Sequence, residues 1–206
     1  YQNGRLAKRY RKLVDRVRAA AAAKGLGESL PRAVALSYAK LLAYKDEYEV
    51  ARLYTDGSFE AQLREQFEGD VKLSYHLAPP LLPNTDDGSG RPRKRTFGPS
   101  MMTGFKVLAK LKGLRGTPLD IFGYGKDRRI ERALIAEYEV DVDAVLASLS
   151  AQTAPIAQSL LSLPEDIRGY GPVKEKAVAQ AKEKREGLLK DLANPPPLVA
   201  PSMAAE

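Results

Sequence analysis

The sequence predicts a mainly α fold, an irregular bundle of about six to eight helices with a small, long-looped β-hairpin in the middle. Three observations carry this. Apolar residues recur at spacings of three and four over most of the chain. Of the 30 Gly and Pro residues, 14 fall in residues 70–125, which sets an irregular middle between two helical arms. One stretch around 71–77 changes to a two-residue alternation.

Residues 5–24 read as a first helix, with Leu6, Tyr10, Leu13 and Val17 on one face and Arg or Lys on the other, ended by Gly25 and Gly27. Ser29 and Pro31 mark a helix start, and the pattern then runs without a break to about Tyr54. Thr55-Asp56-Gly57-Ser58 punctuates, and Phe59, Leu63 and Phe67 mark an amphipathic helix that Gly69 closes. Val71, Leu73, Tyr75 and Leu77 alternate with Lys72, Ser74 and His76, as a half-buried strand does, and residues 93–97 are the expected partner. The connection between them, with Pro79-Pro80, Pro83 and the run from Asn84 to Gly90, is too long for a tight turn.

Helix resumes near Ser100 with Phe105, Leu108 and Leu111, stops at Gly113, and gives way to an extended segment over 114–125. The longest helix starts near Lys126, with Ile130, Leu134, Tyr138, Val142, Val145 and Leu149 as its core stripe. A shorter helix at 156–163 follows. A charged one at 173–192 has a narrow seam through Val178, Ala181, Leu188 and Leu192. Residues 1–193 are thus read as one mostly helical domain. The Pro-rich tail 194–206 has no face to bury and is expected to be disordered.

Composition excludes several chemistries. The chain has 33 Lys or Arg against 26 Asp or Glu, a net charge of +7, with no Cys and a single His. It therefore supplies no disulfide, no thiolate-held zinc, no iron–sulfur ligand and no multi-histidine metal site. No apolar run approaches the length of a bilayer span and no signal-peptide pattern is present, so a soluble, cytoplasmic protein is expected. A start at Tyr1-Gln2-Asn3 without an initiator Met reads as a cut from a longer chain, although an engineered or processed end would look the same.

The densest polar constellation runs from Tyr44 to Asp56. On a continuous helix Tyr44 and Tyr48 share a face, Lys45 reaches Glu49, and Arg52 lies one turn beyond Tyr48, within reach of a cation–π contact. It is either a pocket for an anionic group or, as mixed-sign charge runs usually are, a helix–helix contact satisfied by local ion pairs. Arg91, Arg93, Lys94 and Arg95 form a basic patch at the start of the second strand, suited to phosphate or an acidic partner. Its shortness and the lack of interleaved aromatics argue against nucleic acid. His76 sits beside apolar neighbours and a proline bend, where histidine more often makes structural hydrogen bonds, and no nucleophile-elbow motif supports a hydrolase or lyase centred on it. Gly123-Tyr124-Gly125 lacks the rest of a phosphate-loop fingerprint. The cluster from Leu163 to Lys174 reads as a glycine-shaped turn in which Arg168 caps carbonyls.

Taken in order, the strings from Leu41 to Tyr54, His76-Leu77-Ala78-Pro79-Pro80-Leu81-Leu82, Arg93-Lys94-Arg95 before Phe97-Gly98-Pro99, Leu114-Arg115-Gly116-Thr117-Pro118-Leu119-Asp120, and Leu163-Pro164-Glu165 through Lys174 resemble the C-terminal region of the long, fused-chain indolepyruvate ferredoxin oxidoreductases. The resemblance runs from Tyr1 to about Leu192. It implies a parent enzyme that oxidatively decarboxylates an aryl 2-oxo acid to an acyl-CoA and passes two electrons to ferredoxin. Thiamine diphosphate, magnesium and iron–sulfur clusters would do that work in domains upstream of this chain.

The resemblance does not supply this region's own role; with no thiolate and no second imidazole, the chain is expected to be a non-catalytic structural and interaction module, with no cofactor and no metal of its own. Its partners would be the upstream catalytic domains, and a homo-oligomer is compatible with it. The residues expected to bind or to form the interface are Tyr44, Lys45, Tyr48, Arg52, His76, Arg93, Lys94, Arg95, Arg115, Arg168 and Lys174. The alternative is an anion-binding module that contacts CoA or a substrate carboxylate through its Arg and Lys clusters. Two positions depart from the family pattern. Ser100 stands where a large aromatic residue is expected, and Pro172, which has no titratable group, stands where the family tends to have histidine.

Overall fold

Asn3 begins the first helix by the ordinary capping rule: its backbone is extended (φ −163°, ψ 171°) and its side chain accepts the Leu6 amide at 2.9 Å. This computed structural model describes residues 3–69, 72–79 and 93–197. Among them the chain is mainly α, with eight α-helices and one two-stranded antiparallel ribbon. The chain divides into two compact units, one made of residues 1–43 and 131–206, the other of residues 44–130.

In the first unit, α1 (Gly4–Ala23) turns Leu13, Val14, Val17 and Ala21 inward and stops where Gly25 takes φ +68°. It packs on α2 (Ser29–Leu42), whose Leu30, Val34, Tyr38, Leu41 and Leu42 are buried. The long helix α6 (Lys126–Ser148), most of which lies in this unit, buries Leu134, Tyr138, Val142 and Val145, four of the six residues of the expected stripe, and Leu149 just beyond its end is buried too. The helix α7 (Ala154–Ser162) packs on α2 and on α8 (Pro172–Ala193). Burying each of these large apolar side chains contributes on the order of 1.5–3 kcal/mol. A row of tyrosines, Tyr10, Tyr38 and Tyr138, stacks at centroid separations of 6.1 and 5.8 Å.

The polar side of α6 is organised as well. Its acids meet cations from the helices on either side: Glu139 and Asp143 take Arg9 and Arg16 of α1 at 2.8 and 2.6 Å, while Glu137 and Asp141 take Lys182 and Arg185 of α8 at 2.9 and 2.6 Å. Glu131 pairs with Lys174 at the start of α8.

The second unit holds α3 (Glu47–Thr55), α4 (Ser58–Gln66), the strands β1 (Tyr75–Leu77) and β2 (Arg95–Phe97), and α5 (Met101–Lys110), followed by a 3₁₀ turn at Leu111–Leu114. Its core is aromatic. Tyr54 stacks on Phe105 at 5.0 Å, and Tyr75 stands edge-on to both at 5.4 and 5.3 Å. Ala51, buried beneath them, lets α3 and α5 approach.

The ribbon pairs Tyr75 with Phe97, His76 with Thr96 and Leu77 with Arg95. The strands are shorter than the alternation suggests: of the expected strand residues, 72–74 and 93–94 are described outside them, while Val71 and the connection 80–92 lie outside the described residues, as does the tail beyond Pro197.

One expectation is corrected. The helix drawn from Ser29 to Tyr54 is two helices, because residues 43–46 leave the helical path. Asp46 is extended (φ −127°, ψ 178°) and its side chain accepts the Glu49 amide at 2.8 Å. A carboxylate on the orphan amides of a first turn starts a new helix, and that capping outweighs the continuing apolar period.

Candidate functional site

The break at 43–46 builds the polar centre of the second unit. With Tyr44 outside a helix, its ring receives the Arg115 guanidinium at 4.2 Å and that of Arg128 at 5.8 Å. Arg115 also donates to the Tyr44 carbonyl at 3.1 Å and forms an ion pair with Asp46, both side chains being almost wholly buried (6% and 5% exposed). Arg128 pairs with Glu47 at 3.2 Å. Burial pushes the Asp46 carboxyl above its ordinary value, opposed by the Glu49 amide and the Arg115 charge.

One turn into α3, the buried Tyr48 donates its hydroxyl to Asp120 at 3.2 Å, with Phe122 edge-on to its ring at 5.4 Å. Asp120 accepts the Gly116 amide at 2.8 Å and the Gly123 amide at 3.0 Å, so one carboxylate draws the irregular 116–123 segment into a loop over the start of α3. Burial, then the Asp120 charge and hydrogen bond, push the Tyr48 phenol up to about 12. The cluster is an internal lattice of charge-assisted bonds: its arginines, carboxylates and tyrosines are directed at one another.

Several expected pairings are replaced. Lys45 precedes α3 and is exposed, and Glu49 instead receives Arg52 at 2.7 Å. The second arm of Arg52 reaches Asp56 at 3.0 Å, so the ring it was expected to cover, Tyr48, has Phe122 and Asp120 as neighbours. The cation–π contact of this region belongs to Arg115 and Tyr44.

Elsewhere in the second unit, His76 is exposed on β1 with Nδ1 3.1 Å from Thr96 Oγ1, and Arg93, Lys94 and Arg95 are exposed on and before β2. The ribbon register puts His76 and Arg95 on neighbouring rungs. In the first unit, Arg168 donates to the Glu165 carbonyl at 3.1 Å, and Lys174 is tied to Glu131. Lys40, which sequence reasoning missed, fixes the same turn by donating to the Pro164 and Glu165 carbonyls at 2.7 and 3.0 Å. Burial lowers its ammonium from its ordinary value, as does the nearby Arg168 charge.

Asp120 and Arg128 were also missed as members of the cluster, while Asp46 and Glu47 lay inside the constellation from Tyr44 to Asp56 without being singled out. Two of them carry a local signal: Asp46 stands where a helix cap is favoured, and Asp120 is an acid between two apolar residues, Leu119 and Ile121, that the structure leaves exposed. Among the described residues no group of three or more His, Cys, Asp or Glu is placed to hold a metal ion, and no helix is long and apolar enough to cross a membrane. Compared with curated proteins and with solved structures, the chain has no match. Residues 1–187 match DUF6537, a family of unknown function, and with nearly its whole length inside that match the chain belongs to this family.

Proposed function

We propose that this chain is a structural and interaction module of an oxidoreductase of the indolepyruvate ferredoxin type, acting on the enzyme's architecture and leaving the chemistry to upstream domains. One observation carries the reading. The motifs on which the resemblance rests are one another's partners inside the fold: Tyr44, Asp46 and Tyr48 from the first string hold Arg115 and Asp120 from a string about seventy residues later. Residues committed to each other in this way fix a scaffold and do not present a nucleophile or a proton-transfer group to a substrate.

In this proposal thiamine diphosphate, magnesium and iron–sulfur clusters belong to the upstream domains. The clusters do not fit this chain's own donors, since it has no cysteine. The anion-binding alternative keeps Lys45 and Lys94 but loses Arg52, whose fork is occupied by Glu49 and Asp56.

The experiment is calorimetric titration of this chain into the thiamine- and cluster-bearing portion of a fused-chain enzyme of that type, paired with an activity assay on the enzyme truncated before this region. Association together with loss of activity or of thermal stability in the truncated enzyme is the expected result. No association, with full activity and unchanged stability after truncation, overturns it.

A further inference from the structure

Positive charge is concentrated in two stretches: residues 5–24 hold eight Lys or Arg against one Asp, and residues 93–130 hold ten against two Asp. Within the second stretch, α5 is two-faced. Phe105 is buried, with Met101, Met102, Leu108 and Ala109 packed around the same aromatic core, and the opposite face carries Lys106, Val107 and Lys110, continued by Leu111 at the start of the 3₁₀ turn, all exposed. The spacing places the two lysines one turn apart and the two aliphatic residues one turn apart beside them. Val107 is 56% exposed and Leu111 44%. Neither α5 nor the 3₁₀ turn after it contains an acid, and Lys106, Lys110 and Lys112 make no ion pair among the described residues. On α1 and α8 five of the basic residues are neutralised by the acids of α6, and the exposed cations that α1 keeps, Arg5, Lys8, Arg11 and Lys12, have no exposed large aliphatic residue of their own helix beside them, as Lys106 and Lys110 do.

We propose that this outward face of α5 docks an acidic protein segment that carries aliphatic side chains between its carboxylates. Charge complementarity selects the sign: three unpaired ammonium groups within two helical turns attract carboxylates and accelerate encounter. The aliphatic pair selects a protein over the other polyanions. Bases stack on aromatic rings, and this face presents a valine and a leucine. A helix that lies in a lipid surface needs a broad apolar face, whereas α5 spends its larger apolar residues on the core and leaves Val107 outside, with Leu111 just beyond its end. The inference does not rest on the oxidoreductase reading and stands or falls separately from it.

The test uses the full chain and a fluorescein-labelled amphipathic peptide of alternating glutamate and leucine blocks, followed by anisotropy at low and at physiological salt. The expected result is saturable binding that weakens with salt. The Lys106→Glu/Lys110→Glu variant should weaken it at least ~10-fold, and so should Val107→Ser/Leu111→Ser. Lys176→Glu, an exposed lysine on α8, should leave it unchanged, with far-UV circular dichroism showing that all three variants are folded. A polyglutamate peptide without leucine should bind more weakly than the mixed one. Absence of binding, equal loss in Lys176→Glu, or tighter binding to transfer RNA or to phosphatidylglycerol vesicles than to the peptide overturns the proposal.

Discussion

Arg115 shows how much a single side chain holds here. Its guanidinium lies over the Tyr44 ring, donates to the Tyr44 carbonyl and forms the ion pair with Asp46, and all of this happens with the side chain 6% exposed. Truncation leaves the Asp46 carboxylate in a buried site without its main counter-charge, and burial already works against that carboxylate's ionisation. Arg115→Ala is therefore expected to cost about 3–5 kcal/mol in urea unfolding, the range for removing one partner of a buried pair. Arg115→Met/Asp46→Asn, which removes the stranded charge, should recover a substantial part of that loss. If the single variant costs under about 1 kcal/mol, the pair behaves as a surface pair and the cluster does not organise the loop. Neither partner was legible as a pair, because they lie 69 positions apart and a local pattern carries no information on contacts at that distance.

Elements with a strong local period were legible. The first helix, the helix at Lys126 and the last helix sit within a residue or two of where the apolar stripe puts them, since a repeat of 3.6 over five or six turns admits one geometry. The break between α2 and α3 was hidden because Leu41, Leu42, Tyr48 and Ala51 continue a plausible stripe across it, and only the cap at Asp46 marks the change. The turn into α8 was read as glycine-shaped, and its geometry gives that a physical cause. Gly169 has φ +93°, and a β-carbon there would lie 2.7 Å from Val173 Cγ1. Gly169→Ala should thus cost about 1–3 kcal/mol for the backbone alone, with the contact adding to it. Gly169→Ala/Val173→Ala should return only the contact's share. Thermal melts of the two variants and of Val173→Ala check this, and equal melting temperatures for Gly169→Ala and the parent chain would remove the turn from the elements that fix α8.

At the scale of the molecule, charge is distributed unevenly, and the distribution has a consequence for acid stability. In the first unit α6 collects its carboxylates opposite the cations of α1 and α8, so protonating that helix strips pairs from both neighbours. Glu139 reports on this most clearly. Burial pushes its carboxyl up, but the hydrogen bonds from Arg9 and Tyr38 and the Arg9 charge outweigh it and hold the group below its ordinary value of 4.5. With the folded value depressed, the unfolded chain takes up the proton first as pH falls. The pair's contribution is present above pH 4.5 and is lost as the pH drops through the folded value. Glu139→Gln keeps the size of the side chain and removes the titration. Its urea midpoint at pH 7 should be lower than that of the parent chain, and the gap should close as the pH falls below 4.5 and the parent loses what the variant never had. A gap that stays constant through that range would mean that the Arg9 and Tyr38 contacts hold the glutamate by shape alone and that α6 is not an electrostatic axis of its unit.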